Sequence, residues 1–300
     1  MTSVVDRTPE QLDRVGLIAG ILAYLSWGVF PLYFHSLLGT SPVEVVCHRV
    51  VWSLLVVSIP LARRGDFGWI REVISNRLML RNCAAAALLI ATNWLLYIWA
   101  ATHGRVIEGA LGYFINPLVV ILIGVAVLSE RLRRLQWIAV GLAGLAVVVL
   151  TIEVGSLPWV SLVLSFTFAG YGFLKRQIEL PPLRSLAVET ALMAPLALVG
   201  LIILAATGSA RFGTNGLGGG LWLALSGPVT AVPLVLFATA ARRLPFTVIG
   251  MLQFLTPVLQ FLCGVLVLHE AMSTGRWIGF GIVWISLMVL TFDAVRHRRV

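Results

Sequence analysis

The sequence predicts an all-α membrane protein with ten transmembrane helices, arranged as two inverted five-helix repeats. Three observations predict it. The 300-residue chain is 59% hydrophobic and only 12% charged, where a soluble domain carries about 25% charged residues, and its mean hydropathy is +0.96. Apolar runs of about 20 residues, the length that crosses hydrocarbon as a helix, recur from one end of the chain to the other. A stretch of the first half also reappears in the second half at a fixed offset of 140 residues.

The spans read in order as 14–36, 43–62, 80–101, 106–129, 135–152, 158–176, 184–206, 219–241, 246–268 and 275–294. The first run is too long for a cleavable signal peptide and leads directly into further spans. Most joins are short turns. Residues 63–79, RRGDFGWIREVISNRLM, form a longer connection expected to lie along the membrane surface. Residues 207–218, TGSARFGTNGLG, are Gly-rich but lack the Lys followed by Ser or Thr of a phosphate-binding loop. With no ATP site in view, transport by this chain would run on a gradient or on a partner's energy.

The formal net charge is +9. With the amino terminus cytoplasmic, the 22 Lys and Arg residues fall on the cytoplasmic side, except Arg105, Arg211 and Arg276 outside and Arg49 within a span. That asymmetry predicts a multi-pass protein of the cell (inner) membrane with both termini cytoplasmic. It also explains the basic balance without nucleic acid, for which no basic stripe with interleaved aromatics exists. Cys47, Cys83 and Cys263 each lie in or beside an apolar run and read as packed small hydrophobes rather than a disulfide framework.

At the 140-residue offset, FINPLVVILIGVAVLSERLRRLQWIAVG (114–141) falls on FLTPVLQFLCGVLVLHEAMSTGRWIGFG (254–281) without a gap. Phe114, Pro117, Gly124, Glu130, Trp137 and Gly141 meet Phe254, Pro257, Gly264, Glu270, Trp277 and Gly281. The repeats are expected over 14–152 and 158–294. Five spans is an odd number, so the second repeat is inverted in the membrane. Arg131, Arg133 and Arg134 have uncharged counterparts in Ala271, Ser273 and Thr274, as an outward-facing copy requires. Two similar, inverted halves can exchange conformations and open a central site to each side in turn.

The stretches SWGVFPLYF (26–34), CHRVVWSLL (47–55), NWLLYIWA (93–100) and GALGYFINPLVVILIGVAVLSERL (109–132) resemble the drug/metabolite transporter superfamily. Nearly the whole chain is similar to the RarD-type permeases of the EamA family. The resemblance implies two EamA-type five-helix repeats, no cofactor, and export by proton exchange.

Arg49 stands about seven residues into the second span, roughly 10 Å deep at 1.5 Å per residue. An Arg there costs about 2.5–3.5 kcal/mol on insertion scales and generally faces a cavity or a partner. The offset aligns Arg49 with Glu189. In one reading Arg49 holds the anionic group of a substrate, and Glu189 holds its amine or a coupling proton. In the other the two form a buried salt bridge between the second and seventh spans. Glu44 and His48, four residues apart on one helix face, are either an interfacial pair or a proton relay, and with Glu189 they are the candidates for proton coupling.

Asn93 and Tyr97 share a face of the third span and suit either a cavity lining or interhelical packing. Pro117 and Pro257 would free the carbonyls of Tyr113 and Gln253 near mid-membrane, as paired gating kinks or as static ones. Tyr113, Asn116 and Gln253 therefore join the candidate lining. Gly16 with Gly20, and Gly275 with Gly279, are GxxxG helix-packing patterns that also suit a homodimer contact. HEAMS (269–273) lacks the second His of a zinc protease, and no metal-ligand cluster appears.

The expected protein is therefore not an enzyme. It is a secondary transporter of small metabolites or drug-like compounds, with a central cavity among the second, third, fourth, seventh, eighth and ninth spans. The substrate is expected to be anionic or zwitterionic, with lipid as the surroundings and a proton as the candidate coupling ion. A channel and a non-transporting scaffold or sensor remain the alternatives. The absence of a charge ring favours alternating access over a channel.

Overall fold

The computed structural model describes residues 13–65, 67–128, 132–213, 216–244 and 252–296. Regular structure among them is helical: α1 (Arg14–Gly28), α2 (Phe30–His35), α3 (Pro42–Arg64), α4 (Gly68–Ser75), α5 (Arg77–Thr102), α6 (Val106–Leu128), α7 (Arg134–Val154), α8 (Trp159–Gln177), α9 (Pro182–Ala206), α10 (Gly216–Arg243), α11 (Leu255–Leu262) and α12 (Thr274–Arg296). Eight stretches are long and apolar enough to cross a membrane, the first being α1 and α2 together. Two further apolar helices, 159–175 and 255–267, are shorter. The ninth expected span begins within 245–251, outside the described residues.

Local chemistry sets the boundaries. Asp13 caps α1, its Oδ1 accepting from the Gly16 N–H at 3.0 Å. The first span breaks at Val29 because Pro31 follows. A proline has no N–H for the carbonyl four residues back, here that of Trp27, and the Gln260 amide of α11 donates to that carbonyl at 3.1 Å. Thr256 Oγ1 donates to the Tyr24 carbonyl at 2.9 Å. The break is thus satisfied from inside the protein, as hydrocarbon demands. The connection 63–79 carries the short helix α4, which buries Trp69 and Val73, and Asn76 then caps α5 by accepting from the Met79 N–H at 3.0 Å.

Helix contacts obey the repeat. α1 packs on α10 and α11, and the offset maps these pairs onto α8 with α5 and α6, which also pack. α3 with α10 maps onto α9 with α5. The pairs α3–α9, α6–α11 and α7–α12 map onto themselves and are all in contact. Close approach rests on small residues. A Cβ at Gly227 of α10 would stand 2.6 Å from the Trp52 backbone of α3. Both GxxxG faces are occupied within the chain: Gly16 and Gly20 against Arg243, Leu244 and Leu252, and Gly275 and Gly279 against Glu153 and Leu150.

The bundle has two ends. At the proximal end, where α1 begins, Arg243 pairs with Asp13 at 3.0 Å and Arg133 Nε donates to Asp293 at 2.9 Å. At the distal end a cavity of about 720 Å³ is lined by Thr40, Ser41, Thr102, His103, Ser209 and Arg211, among others.

The two prolines expected as paired kinks are not equivalent. Pro117 lies inside the continuous α6. Pro257 lies in the first turn of α11, which starts afresh at Leu255 after a turn at Gln253 and Phe254. A proline is tolerated in a first turn, where the N–H has no intrahelical partner. Here the break lies in the chain before Pro257, and the matched kink is absent.

Gly227→Ala should force α3 and α10 apart. The expected loss is about 1–3 kcal/mol, typical of overpacking, read as a lower midpoint in thermal unfolding of the purified protein.

Candidate functional site

Arg49 is 5% exposed. Its guanidinium lies 4.2 Å from the ring centroid of Trp94 on α5 and 5.5 and 5.7 Å from those of Phe30 and Phe34 on α2. Tyr33, Tyr97 and Tyr113 are within electrostatic reach. Among the described residues Arg49 forms no ion pair, and its Nε has no hydrogen-bond partner. One turn further along α3, the buried Ser53 Oγ is also unpartnered, as is the Tyr97 hydroxyl.

Glu189 is 1% exposed and does not meet Arg49. Lys175 Nζ of α8 reaches its Oε1 at 2.6 Å, Ser185 Oγ donates to the same oxygen at 2.8 Å, and the Tyr171 hydroxyl donates to Oε2 at 3.1 Å. Lys175 also donates to Ser185. The expected Arg49–Glu189 salt bridge is therefore absent. The reason is the inverted repeat itself. Each charge turns toward the first span of its own repeat, Arg49 to α2 and Glu189 to α8, so the symmetry carries them apart.

Asn93 is an anchor. Its amide donates to the Leu164 carbonyl at 2.9 Å and to Thr167 Oγ1 at 3.0 Å, and its Oδ1 accepts from the Tyr113 hydroxyl at 3.0 Å. It thereby fixes Tyr113, whose ring lies 5.6 Å from that of Tyr97. Asn116 is buried with Oδ1 unpartnered. Gln253 is half-buried at the turn before α11, with no side-chain hydrogen bond among the described residues.

Glu44 and His48 serve the distal end. Glu44 is fully buried, and its Oε1 accepts from the Arg211 and Phe212 N–H groups at 2.8 and 2.9 Å. His48 accepts from Trp52 Nε1 at 3.2 Å, stacks on Phe212 at 4.6 Å and stands 4.0 Å from Glu44. This pair holds the α9–α10 connection, while Glu189 is taken up by α8 and its own helix.

Sequence reasoning did not assign Glu270 a role. Its carboxylate spans the repeats and caps α6, accepting from the N–H groups of Val106 at 2.5 Å and Ile107 at 2.9 Å. The chain is folded to aim it. A π-helical turn covers Cys263–Val267, His269 takes φ +52°, and the Glu270 N–H returns to the Gly264 carbonyl at 2.9 Å. Gly264 lets this turn approach Ile107, whose Cγ1 would be 2.8 Å from a Cβ there. Glu108, in the same first turn, accepts from Arg105 Nε at 2.7 Å. The Glu130–Glu270 match in the repeat was the available signal; Glu130 itself lies outside the described residues.

A sequence comparison matches residues 14–152 and 157–292 to the EamA-like transporter family. The chain belongs to that family. Protein RarD of Streptomyces exfoliatus is 49% identical over 290 residues, covering 97% of this chain and 92% of that one. An uncharacterized transporter of Pseudomonas aeruginosa is 43% identical, covering 95% and 96%. Protein RarD of Escherichia coli K12 is 35% identical, covering 95% and 97%. A crystal structure with 17% identity superposes with a TM-score of 0.61, covering 93% of this chain and 98% of that one, a likeness of fold. As an EamA-family protein with multiple apolar helices, the chain is a multi-pass membrane protein of the permease class.

Lys175→Met should strand the Glu189 charge in the bundle. Breaking a buried pair costs about 3–5 kcal/mol; Lys175 is 26% exposed, so the loss should fall at or below the low end. The double variant Lys175→Met/Glu189→Gln should recover most of it in thermal unfolding. Burial is the largest influence on Glu270 and pushes its carboxyl above the ordinary 4.5, against the opposing Ile107 and Val106 N–H groups. Ionisation is then costlier folded than unfolded. Its contribution to stability is complete below 4.5 and falls as pH rises through the raised value. Glu270→Gln should remove that portion of the pH dependence of the unfolding midpoint.

Proposed function

We propose that this chain is a secondary active transporter that exports small metabolites or drug-like compounds across the plasma membrane by alternating access. The observation that carries the reading is Arg49, a buried cation among aromatic rings with no carboxylate beside it. An isolated charge at this depth is costly and is functional by default. A substrate anion would compensate it during passage.

The distal end is taken as the outer face and the proximal end, richer in Lys and Arg, as the cytoplasmic face. The Glu270 cap on α6 and the Glu44 anchor on the α9–α10 connection then close the outer side in this conformation. Opening outward would release Glu270 from Val106 and Ile107. Proton exchange fits the family, and the buried Glu189 cluster is the candidate carrier.

Accessibility separates this reading from a channel or a scaffold. In a background with Cys47, Cys83 and Cys263 replaced, Tyr97→Cys should react with an impermeant maleimide from the cytoplasmic side in oriented vesicles. Adding Glu270→Gln, which removes the charge and replaces one of the two accepting oxygens with an amide donor, should move reactivity toward the outer side. Equal reaction from both sides in both variants would indicate a channel, and no reaction from either side a static scaffold.

A further inference from the structure

The two halves of the repeat provide an internal comparison at one position. In the second half Glu189 is neutralised by Lys175 and hydrogen-bonded by Ser185 and Tyr171. In the first half the offset puts His35 where Lys175 stands, and Arg49 is left with ring faces alone. Ring faces attract a cation but carry no net charge, so the guanidinium is attracted without being neutralised.

The other carboxylates near the bundle interior are committed elsewhere. Glu44 holds the Arg211 and Phe212 N–H groups, Glu270 caps α6, Glu108 pairs with Arg105 and Asp293 pairs with Arg133. Among the described residues the surroundings of Arg49 thus offer one positive charge and no available negative one. Arg49 Nε, the Tyr97 hydroxyl and, one turn along α3, Ser53 Oγ have no hydrogen-bond partner. The rings over the guanidinium are those of Phe30, Phe34 and Trp94, with Tyr33, Tyr97 and Tyr113 within electrostatic reach.

Resting on the reading that Arg49 forms the substrate site, we propose that the substrate is an organic monoanion with a planar aromatic body, an aromatic carboxylate in the simplest case, rather than a zwitterion or a cation. One carboxylate group matches the single guanidinium and accepts from its unpartnered Nε. The aromatic body takes the place of ring contacts along α2 and α5. An ammonium group would find no carboxylate to receive it, and a dianion would bring one charge too many.

The test is thermal unfolding of the purified full chain with benzoate, indole-3-acetate, phenylalanine, phenethylamine and succinate at equal millimolar concentrations. A compound that binds only the folded protein must raise its midpoint. Benzoate and indole-3-acetate should raise it; the other three should not. Arg49→Gln should abolish the shift. Trp94→Leu, which keeps the charge and removes the nearest ring, should weaken the apparent Kd about tenfold, the scale of one lost ring contact, and serves if Arg49→Gln does not fold.

An Arg49-dependent shift with phenylalanine, phenethylamine or succinate would overturn the substrate class and leave the site standing. Shifts of equal size in wild type, Arg49→Gln and Trp94→Leu would overturn Arg49 as the site itself. No shift with either aromatic acid up to 10-fold higher concentration would overturn the class.

Discussion

Hydrocarbon supplies neither hydrogen-bond donors nor acceptors, so every polar group this chain carries into the membrane has to be answered by another part of the chain. Much of the observed architecture follows from that constraint. The break that Pro31 imposes on the first span exposes the Trp27 carbonyl, and Gln260 on α11 meets it. Asn93 is answered by Leu164, Thr167 and Tyr113. Glu189 is answered by three groups at once. Apart from Ser185 with Glu189 within α9, each of these contacts joins different helices, so polar satisfaction and helix docking are the same event.

Against that background Arg49 is the exception. The repeat supplies the same position twice, once with a carboxylate fully engaged and once with a guanidinium held by rings. A fold that satisfies its other buried charges with partners inside the chain can leave one uncompensated only at a cost to stability. Such a cost is characteristic of sites whose missing partner arrives from outside.

The irregular segments have a related logic. The π-helical turn at Cys263–Val267 and the positive φ of His269 are conformations that ordinary helix packing does not need. π-turns concentrate at functional places in helices, and unfavourable backbone angles persist where surroundings over-determine them. Here they bring a carboxylate of the second repeat onto the first turn of α6. The contact joins the two halves of the molecule at the distal end.

Much of this protein was legible in its residues. Apolar runs of about 20 residues report membrane spans, and the match of 114–141 with 254–281 reports the repeat, because each is a one-dimensional property of the chain. The candidate residues Arg49, Glu189, Tyr97 and Tyr113 were visible as polar letters in apolar stretches. Their partners were not. Whether Arg49 meets Glu189 depends on which way each helix is rotated, and sequence offset carries no rotation. Lys175 stands near the end of α8, and only the fold of α8 against α9 brings its ammonium onto Glu189. Glu44 and His48 were correctly paired along one helix face, yet the connection they hold is 167 residues away in sequence. Spans and repeat were set by the sequence, since hydrophobic transfer acts residue by residue. Which charge is neutralised and which left open was decided only by tertiary packing, since pairing needs two side chains to arrive at one place.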